Sequence, residues 1–383
     1  MTRVVLLGIM GRTPFAGVAW QVLHYLEGFR RAGCDAFYVE DTGAWPYDPV
    51  HNTITDDAGY TVRYLGDLLR GVGMEGSWAY VAPDRAVHGS SATTIAHALA
   101  EADVLVNLTG ATVLREEHLQ VPIRVYLETD PVAPQIEIAL RAPFTVELLA
   151  DHTHHFTFGE NLGGADCGVP VGGFDYRPTR QPVVLDWWRN GAKLGQSFTT
   201  VASWQQAGRD VEWRGETYFW SKDREFLKVL ELPRRISAPI ELALACDDER
   251  IVALLRDHGW RVRDALSLSL SPDPYRGYIV GSRAEFTVAK DQNVRLRSGW
   301  FSDRSACYLA AGRPVVTQAT GFENVLPTGE GLFAFATVDG AAAAIEAIES
   351  DYERHSAAAA ELAREYFDAQ RVVSALLREV GAA

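Results

Sequence analysis

The chain has 383 residues, of which 47% are apolar and 22% are charged, and this is enough for two globular domains with hydrophobic cores of their own. Acidic residues outnumber basic ones by 50 to 36, and the formal charge of −14 disfavours electrostatic binding to nucleic acid or to an anionic membrane surface. We therefore expect a soluble protein whose partners are small molecules rather than nucleic acid.

The N-terminal segment and the cysteines indicate the compartment. The apolar run after Arg3 is short and lacks a small-residue cleavage site, so it predicts a buried strand rather than a signal peptide. No window approaches the roughly 18 apolar residues that a membrane span needs. The cysteines are far apart and form no CxxC pair, which favours reduced thiols over a disulfide or zinc framework. We expect a cytoplasmic protein with free thiols at Cys34, Cys167, Cys246 and Cys307.

The first part of the chain predicts the βαβ start of a doubly wound sheet. Residues 3–9 form a strand, residues 17–31 carry apolar side chains at helical spacing, and a second strand follows. The glycines between strand and helix do not have the GxGxxG spacing of a dinucleotide site, and a simple tight turn is an equally good interpretation. Arg12 and Thr13 on this loop, and Gly17 at the start of the helix, are candidates for contact with a substrate.

Two carboxylates follow a clear strand pattern over residues 123–127. Glu128 and Asp130 lie at the end of this strand, before Pro131. Ligands of open α/β sheets bind at the carboxyl ends of the strands, and a carboxylate in such a position can take the proton from a hydroxyl group. We therefore predict Asp130, and after it Glu128, as the catalytic base. A polar turn without a catalytic role is the alternative.

Three histidines occur in residues 152–158 (HTHHFTF), which resemble a strand. His152 and His154 would share one face of that strand, and His155 would point to the other. No carboxylate pair of fixed spacing lies nearby to complete a metal site. We therefore predict a polar strand end rather than a metal site.

A second α/β series follows a proline-containing linker over residues 174–186. Short apolar runs alternate with helical patterns, as expected for a parallel sheet. The predicted strands cover residues 198–202, 239–245, 277–280, 285–289, 314–317 and 331–335. The predicted helices lie near residues 221–231, 248–258 and 303–311, and an alanine-rich helical region runs from 338 to 380.

The stretch from 298 to 335 is the best defined of the chain, and it contains a helix whose first turn suits an anion. Ser302 is a good N-cap, and Asp303 in the first turn suits the positive end of the helix dipole. Arg304 and Ser305 add a guanidinium and a hydroxyl group as hydrogen-bond donors. A solvated helix end, with Arg304 on the surface, is the alternative.

A glycine turn follows this helix. A short, β-branched strand ends at Thr317, and Thr320-Gly321 come after it. We expect this turn to leave backbone N–H groups free at the carboxyl edge of the sheet. A helix N-terminus and a glycine turn side by side suit the two phosphates of a diphosphate.

The same stretch carries a family resemblance. YLAAGRPVV followed by TGFENVLPTGEGLFAF resembles the donor-binding part of GT-B glycosyltransferases, and the similarity extends more weakly over nearly all of the chain. The resemblance implies an α/β protein with two Rossmann-like, doubly wound domains that face each other across a cleft. Residues 1–178 would bind the acceptor and residues 182–360 the nucleotide-sugar donor. Residues 361–383 would form a C-terminal helix that crosses back to the first domain.

The resemblance also implies which residues bind the donor. In GT-B enzymes that need no metal, helix N-termini and basic side chains neutralise the leaving diphosphate, so no metal and no other cofactor is expected. Lys222, and after it Arg214, matches the basic residue that the family places against the phosphates. Tyr278 lies where the family holds the nucleotide base. Surface positions for these side chains are the alternative.

One departure from the family affects the predicted donor site. Many retaining members carry two glutamates eight residues apart, and the corresponding positions here are Gly299 and Cys307. A cysteine cannot replace a carboxylate that holds a ribose diol. Asp303 is the candidate to take over that role, and the resemblance leaves open whether the anomeric configuration is kept or inverted.

The resemblance therefore implies a metal-independent glycosyltransferase of the hexosyltransferase type. It would move a sugar from a nucleotide-sugar donor to a hydroxyl group of a small-molecule or glycan acceptor. Two alternatives stay open. A nucleotide-sugar epimerase of the same fold would need no acceptor, and a non-catalytic binding subunit would keep the fold without the chemistry.

Overall fold

A computed structural model describes residues 1–189, 191 and 193–383. The first part of the chain contains ten strands, of which eight form one sheet and two form a separate hairpin. These strands are β1 (Arg3–Leu7), β2 (Asp35–Glu40), β3 (Tyr47–Asp48), β4 (Thr53–Ile54), β5 (Trp78–Val81), β6 (Val87–Gly89), β7 (Val104–Leu108), β8 (Ile123–Glu128), β9 (His154–Thr157) and β10 (Tyr176–Pro178).

The order of the first sheet is β10-β9-β8-β7-β1-β2-β5-β6, and its neighbouring strands are parallel except for β5 and β6. Alternate residues of β1 pack into two different cores: Val4 and Leu6 into one, Val5 and Leu7 into the other. Strands that are apolar on both faces are typical of parallel sheets covered by helices on both sides. The helices are α1 (Ala16–Arg31), α2 (Gly59–Gly71), α3 (Ala92–Ala100), α4 (Glu116–Leu119), α5 (Ala133–Ala139) and α6 (Pro143–Ala150).

A second parallel sheet is built from the chain after residue 197. Its strands are β11 (Phe198–Ser203), β14 (Ile240–Ala245), β15 (Arg261–Asp264), β16 (Ala284–Thr287), β17 (Val315–Gln318) and β18 (Leu332–Phe335), in the order β15-β14-β11-β16-β17-β18. The strands β12 (Val211–Trp213) and β13 (Glu216–Tyr218) form a separate antiparallel hairpin. The helices in this part are α7 (Asp223–Lys228), α8 (Glu249–Asp257), α9 (Leu266–Ser269), α10 (Pro272–Val280), α11 (Asp291–Leu296) and α12 (Asp303–Ala310).

One predicted strand was wrong. Residues 277–280 belong to α10, because Pro272 starts a helix there and occupies a first-turn position, where its missing N–H is not needed. Tyr275 and Ile279 are then four residues apart on one helical face, and both are buried. The apolar run that resembled a strand is therefore the core-facing side of a helix.

The C-terminal segment returns to the first sheet, as predicted. It consists of α13 (Val338–Ser350), α14 (Tyr352–Leu362), a π-helical turn (Ala363–Phe367) and α15 (Ala369–Glu379). The last helix lies along α1 so closely that a Cβ atom on Gly28 would come within 3.1 Å of Val373 Cγ1. Near the chain ends, the Thr2 hydroxyl donates a hydrogen bond of 3.1 Å to the Ala382 carbonyl.

The carboxyl ends of the two sheets face each other across a cleft. The indole N–H of Trp300 donates a hydrogen bond of 3.0 Å to the carbonyl of Thr129, which follows β8. The hairpin β12–β13 also crosses to the first sheet, where Val211 packs in one apolar cluster with Val132 and Ile136. The loops that follow the parallel strands are thus brought together at one place.

Among the described residues, no helix is both long enough and apolar enough to span a membrane. The four cysteines are free, and Cys34 and Cys307 are buried.

Candidate functional site

Asp130 lies on the loop between β8 and α5, where it faces the second sheet. Its Oδ2 atom accepts hydrogen bonds from Lys290 Nζ, at 2.6 Å, and from the indole N–H of Trp220. Arg209 Nη1 lies 3.9 Å from the same oxygen. The other carboxylate oxygen, Oδ1, is buried and has no hydrogen-bond partner among the described residues. The predicted base is therefore in the cleft, with one of its oxygens paired to a cation of the opposite sheet.

Two lysines are buried in the cleft: Lys222 just before α7 and Lys290 between β16 and α11. Each residue as a whole, backbone included, is 8% exposed, and the chain has only four lysines in all, so half of them lie here. Burial, followed by the charges of Arg304 and Lys290, lowers the pKa of Lys222 well below its usual value. Burial also lowers the pKa of Lys290, although its pairing with Asp130 opposes this effect.

Lys222 is the less compensated of these two cations. Among the described residues its ammonium group forms no ion pair and donates no hydrogen bond, and it lies 5.9 Å from the centre of the Trp300 ring. A buried charge without a partner costs several kcal/mol. Such a group is a candidate for binding a ligand of opposite charge, here an anion.

The first turn of α12 lies close to these lysines. Ser302 occupies the N-cap position, as predicted, but its side chain forms no capping hydrogen bond. The hydroxyl oxygen of Ser305 is buried and has no partner among the described residues. The helix therefore brings two uncommitted hydroxyl groups to its positive end.

The guanidinium group of Arg304 donates all of its observed hydrogen bonds to other groups of the protein. Its Nε donates to Glu285 Oε1 at 2.6 Å, one terminal nitrogen donates to the Val201 carbonyl at 2.7 Å, and the other donates to Thr287 Oγ1 at 2.9 Å. The side chain of Arg304 is 10% exposed and that of Glu285 is fully buried. This buried ion pair ties the start of α12 to β16 and β11.

Asp303 joins α12 to α1. The side-chain amide of Gln21 donates a hydrogen bond of 3.0 Å to Asp303 Oδ1. Burial raises the pKa of Asp303 to about 6, although the hydrogen bond from Gln21 opposes this shift. The carboxylate is the acidic group nearest in sequence to Cys307, one helical turn away on the same face of α12.

Glu128 lies behind the loop that carries Asp130. Its two oxygens accept hydrogen bonds from the Gln135 amide at 2.9 and 2.8 Å, and one of them also accepts from the Thr157 hydroxyl at 2.6 Å. Gln135 in turn accepts a hydrogen bond of 2.7 Å from the backbone N–H of Val132, which has a φ of 97°. Burial raises the pKa of Glu128 to about 7. Its contacts therefore support the backbone next to Asp130.

The loop after β1 is held by another buried carboxylate, Glu40. The backbone N–H groups of Gly11 and Arg12 both donate to it, the former at 2.6 Å, and burial raises its pKa to about 7. Thr13 closes the turn with a backbone hydrogen bond to Ile9. Gly17 follows in the first turn of α1, where it is exposed. This loop borders the cleft on the side of the first sheet.

The turn at Thr320-Gly321 differs from its prediction. The N–H of Gly321 is not free, because it donates a hydrogen bond of 3.0 Å to Glu323 Oε2, and the Thr320 hydroxyl donates to the Trp300 carbonyl at 2.6 Å. A glycine is required here because φ is 96° and a Cβ atom would lie 2.7 Å from Asn161 Nδ2 of the first sheet's loops. The turn is packed between the two halves of the molecule.

Comparison with solved structures identifies the architecture. No family model matches the sequence, and a search among curated proteins finds no significant match. AviGT4, a glycosyltransferase involved in avilamycin A biosynthesis, is 12% identical, with a TM-score of 0.56 over 99% of this chain and 97% of that one. HepE from Anabaena, solved with UDP and glucose, is 11% identical, with a TM-score of 0.59 over 100% of both chains. An α-glucosyltransferase solved with UDP and a 13-mer DNA is 10% identical, with a TM-score of 0.59 over 99% of both.

The chain has the GT-B fold. In the GT-B fold the carboxyl ends of both sheets border the cleft, and the predicted site residues can be sorted by this criterion. Asp130, Lys222 and the first turn of α12 meet there.

Two predicted donor residues lie elsewhere. Tyr278 is on α10, and its carbonyl accepts a hydrogen bond from Ser282, whose hydroxyl lies 2.5 Å from that of Thr199. Thr199 is the second residue of β11, so Tyr278 is near the amino end of the second sheet, opposite the cleft. Arg214 is exposed at the turn of the β12–β13 hairpin, with its guanidinium 5.5 Å from the ring centre of Trp213. The misassigned strand at 277–280 explains the first of these misplacements.

The two positions that carry glutamates in many GT-B enzymes are tightly packed against other parts of this protein. Gly299 has a φ of 84°, and a Cβ atom on it would lie 2.2 Å from the backbone nitrogen of Asn161. Cys307 is 3% exposed, and its sulfur lies 3.9 Å from Nε2 of His24. His24 is itself buried and packed, and burial lowers its pKa to about 3.

The three histidines near β9 have ordinary partners. His152 Nδ1 lies 2.8 Å from the Leu148 carbonyl, and His155 Nε2 lies 2.9 Å from the Leu149 carbonyl. The described part of the chain contains no group of three His, Cys, Asp or Glu side chains arranged to hold a metal ion.

Several site residues were missed in the sequence. Lys290 follows a predicted strand as Asp130 does, so the same rule about strand ends would have found it. Trp220 carries no such signal, because it acts on Asp130, which is 90 residues away and is brought near only by the fold. Gln135 contacts Val132 and Glu128, three and seven residues away, but its residue type alone does not mark it as part of a site.

Proposed function

We propose that the protein is a glycosyltransferase that moves a sugar from a nucleoside diphosphate donor to a hydroxyl group of an acceptor. The observation that carries this proposal is Lys222, a buried cation that has no ion pair or hydrogen-bond partner among the residues the structure describes. It lies beside Lys290 and across the cleft from Asp130. An anion of two or more charges would compensate both lysines. A GT-B fold makes a nucleotide-sugar the natural source of that anion.

The donor diphosphate would be bound without a metal. Lys222 and Lys290 would neutralise it, and the hydroxyl groups of Ser302 and Ser305 would donate hydrogen bonds to its oxygens. Fixed donors of this kind stabilise the charge that develops on the leaving group. Arg304 would act indirectly, by holding α12 in place through Glu285.

The nucleoside part of the donor would also contact α12. Asp303 stands one turn before the cysteine that replaces the usual glutamate, and its carboxylate would accept hydrogen bonds from the ribose hydroxyls. It would exchange its present donor, Gln21, for the ribose. Asp303→Asn should then weaken binding of UDP much more than binding of inorganic pyrophosphate, which has no ribose.

Asp130 would be the catalytic base. It would take the proton of the acceptor hydroxyl while the acceptor oxygen forms a bond to the sugar carbon and the diphosphate leaves with its electron pair. Glu128 would act as a positioning residue through Gln135 and the strained Val132, which are next to Asp130 in the loop. Closure of the cleft would exclude water and limit hydrolysis of the donor.

The first donors to test are UDP-sugars. HepE was solved with UDP-glucose, and the α-glucosyltransferase with UDP, so a UDP-hexose is the donor class that the structural neighbours favour. The acceptor would approach the loop that carries Arg12 and Thr13 and the helix start at Gly17. Because the protein has a formal charge of −14, a small molecule or a glycan is a better candidate acceptor than DNA.

A thermal-shift screen tests the donor class. The protein would be heated with UDP, dTDP, GDP and ADP and with their glucose conjugates, each with and without EDTA. We expect one nucleotide to raise the melting temperature, and EDTA to leave that shift unchanged. The absence of any shift would favour the non-catalytic alternative, and a shift abolished by EDTA would contradict the metal-independent site.

Product analysis then separates the two enzymatic alternatives. Incubation with the stabilising nucleotide-sugar and a panel of hydroxyl acceptors should release the nucleoside diphosphate and form a glycoside. An epimerase would instead change the sugar in the absence of any acceptor. Asp130→Asn should lower transfer by about 10²- to 10⁴-fold. Transfer within a few-fold of the wild type would contradict its role as base.

A further inference from the structure

The pair formed by Asp130 and Lys290 joins the two halves of the molecule across the cleft. The Nζ–Oδ2 distance is 2.6 Å, and the side chains are 10% (Lys290) and 16% (Asp130) exposed. Trp220 holds both partners: its indole N–H donates to the same carboxylate oxygen, and the Lys290 ammonium lies 4.0 Å from the centre of its ring. Since the two charged residues are 160 positions apart, the contact exists only when the cleft is assembled.

This arrangement conflicts with the two roles that the residues would have in transfer. Asp130 Oδ2 already accepts hydrogen bonds from an ammonium and an indole, and Oδ1 is buried, so neither oxygen is presented to an acceptor hydroxyl group while this pair is intact. An ammonium that is paired with a carboxylate is already neutralised and attracts a diphosphate less. If Lys290 leaves Asp130, the carboxylate can face an acceptor hydroxyl group and the ammonium can bind the diphosphate.

We propose that Lys290 is a shared cation, which is paired with Asp130 in the ligand-free protein and transfers to the donor diphosphate when the donor binds. The proposal rests on the proposed function, since it uses the same donor site. The donor would thereby release the base. Asp130 would become available to the acceptor hydroxyl only after the diphosphate is in place, so that the donor binds first and the acceptor second.

The charges of the cleft are consistent with this exchange. Lys222 has no partner among the described residues, and Lys290 shares one carboxylate, so the two lysines carry one positive charge in excess of Asp130. A nucleoside diphosphate brings two or three negative charges and can compensate both ammonium groups. Lysine suits such a transfer, because its ammonium is a compact charge on a flexible stem that can change partners.

The proposal makes an unusual prediction, that removing the catalytic carboxylate strengthens donor binding. UDP and inorganic pyrophosphate would be titrated calorimetrically into the wild type, Asp130→Asn, Lys290→Met and the double variant. We expect Asp130→Asn to bind UDP about tenfold more tightly, because a competing carboxylate is lost and a buried ammonium is left without a partner. Lys290→Met should bind UDP more weakly, and adding Asp130→Asn to it should produce no further change.

A matched control is available in the linker. Asp186 forms an exposed ion pair with Arg31 at 2.8 Å, outside the cleft, so Asp186→Asn makes the same chemical change without touching Lys290. It should bind UDP as the wild type does. If Asp130→Asn does not fold, Asp130→Ser removes the same charge and gives the same comparison.

The outcomes distinguish the proposal from the function on which it rests. If UDP binds the wild type but Asp130→Asn binds it equally or less tightly, the shared cation is wrong and the donor site stands. An equal gain from Asp130→Asn in the wild type and in Lys290→Met would also overturn it, because the gain would not depend on Lys290. If neither UDP nor pyrophosphate binds any variant, both the donor site and the shared cation are wrong.

Discussion

Arg304 and Lys222 are two buried cations on the same side of one cleft, and the protein treats them in opposite ways. Arg304 uses its three nitrogens on Glu285, Thr287 and a backbone carbonyl. Lys222 has no ion pair and no side-chain hydrogen bond among the described residues. Burial opposes the charged form of both side chains. Arg304 is compensated by direct pairing with Glu285, whereas Lys222 receives only the weaker, unpaired attraction of Glu285 and Asp130.

The difference indicates which of the two charges stabilises the fold and which one serves a ligand. A satisfied buried ion pair is neutral or weakly favourable for stability, yet removal of one partner is strongly unfavourable. An unsatisfied buried cation destabilises the free protein, and its removal should be favourable for folding. The helix start at 302–305 was predicted as a phosphate site with Arg304 as a donor, whereas its contacts indicate a structural role for that side chain.

The largest expected effect is the loss of stability when Arg304 is replaced. Arg304→Met leaves Glu285 buried without a counter-charge and should lower the free energy of unfolding by about 3 to 5 kcal/mol. Urea unfolding followed by tryptophan fluorescence measures this loss. The affinity of the folded fraction for UDP should change much less. An unchanged unfolding midpoint together with lost UDP binding would reverse the assignment and make Arg304 the phosphate ligand.

Lys222→Met should have the opposite signature. Without ligand the variant should be more stable than the wild type by about 1 to 2 kcal/mol, because an uncompensated buried charge has been removed. Its affinity for UDP should fall by about 10- to 100-fold, since a charge-assisted contact is lost. Calorimetric titration and thermal melts measure the two quantities. Lys193→Met, at an exposed lysine outside the cleft, is the control and should change neither.

The pH dependence of donor binding sharpens the same point. The folded-state pKa of Lys222 is depressed, so its ammonium loses its proton at a lower pH than an ordinary lysine does. UDP affinity should therefore decline as the pH rises through this lowered pKa, while the ligand-free protein becomes more stable over the same range. Titrations at a series of pH values below the ordinary lysine pKa of about 10.4 would follow both trends. If Lys222→Met shows the same decline in affinity, the titrating group is a different one.

Local patterns were sufficient to predict much of the fold. The βαβ start, the strand that ends before Asp130 and the helix that begins after Ser302 each depend on nearby residues, and each is present. The strand predicted at 277–280 failed because a short apolar run can belong to a strand or to the buried face of a helix. The proline at position 272 was the signal that could have decided between them.

The site was less predictable, because its chemistry depends on partners that are distant in sequence. Asp130 and Lys290 are separated by 160 residues, and Trp220 reaches Asp130 from 90 residues away. Likewise, Ser302 and Arg304 were recognised from the helix start, but the commitment of Arg304 to Glu285 follows only from the packing of α12 on β16. Residue type and strand ends indicate where a ligand binds, and pairing decides which charges are available to it.

The smallest expected effect on activity concerns Glu128, which was the second candidate for the base. Burial raises its pKa to about 7 in the folded state, against 4.5 as its ordinary value, so the folded protein binds this proton more tightly than the unfolded chain does. Its contribution to stability is therefore fully present below about pH 4.5 and is lost as the pH rises through about 7. Glu128→Gln cannot titrate, so the fall in unfolding free energy between pH 5 and pH 8 should shrink by about 2 to 3 kcal/mol.

Glu40 provides a second buried carboxyl group for comparison with Glu128. Its carboxyl group is also buried, with a pKa of about 7, at the end of β2, which is three strands away from β8 in the same sheet. Glu40→Gln should therefore reduce the pH dependence of the unfolding free energy by a similar amount. Neither variant should approach the loss of transfer expected for Asp130→Asn, because Glu128 is hydrogen-bonded to Gln135 and Thr157 and supports the loop from behind. Loss of transfer by more than about 10²-fold in Glu128→Gln, with its melting temperature unchanged, would instead make Glu128 the base.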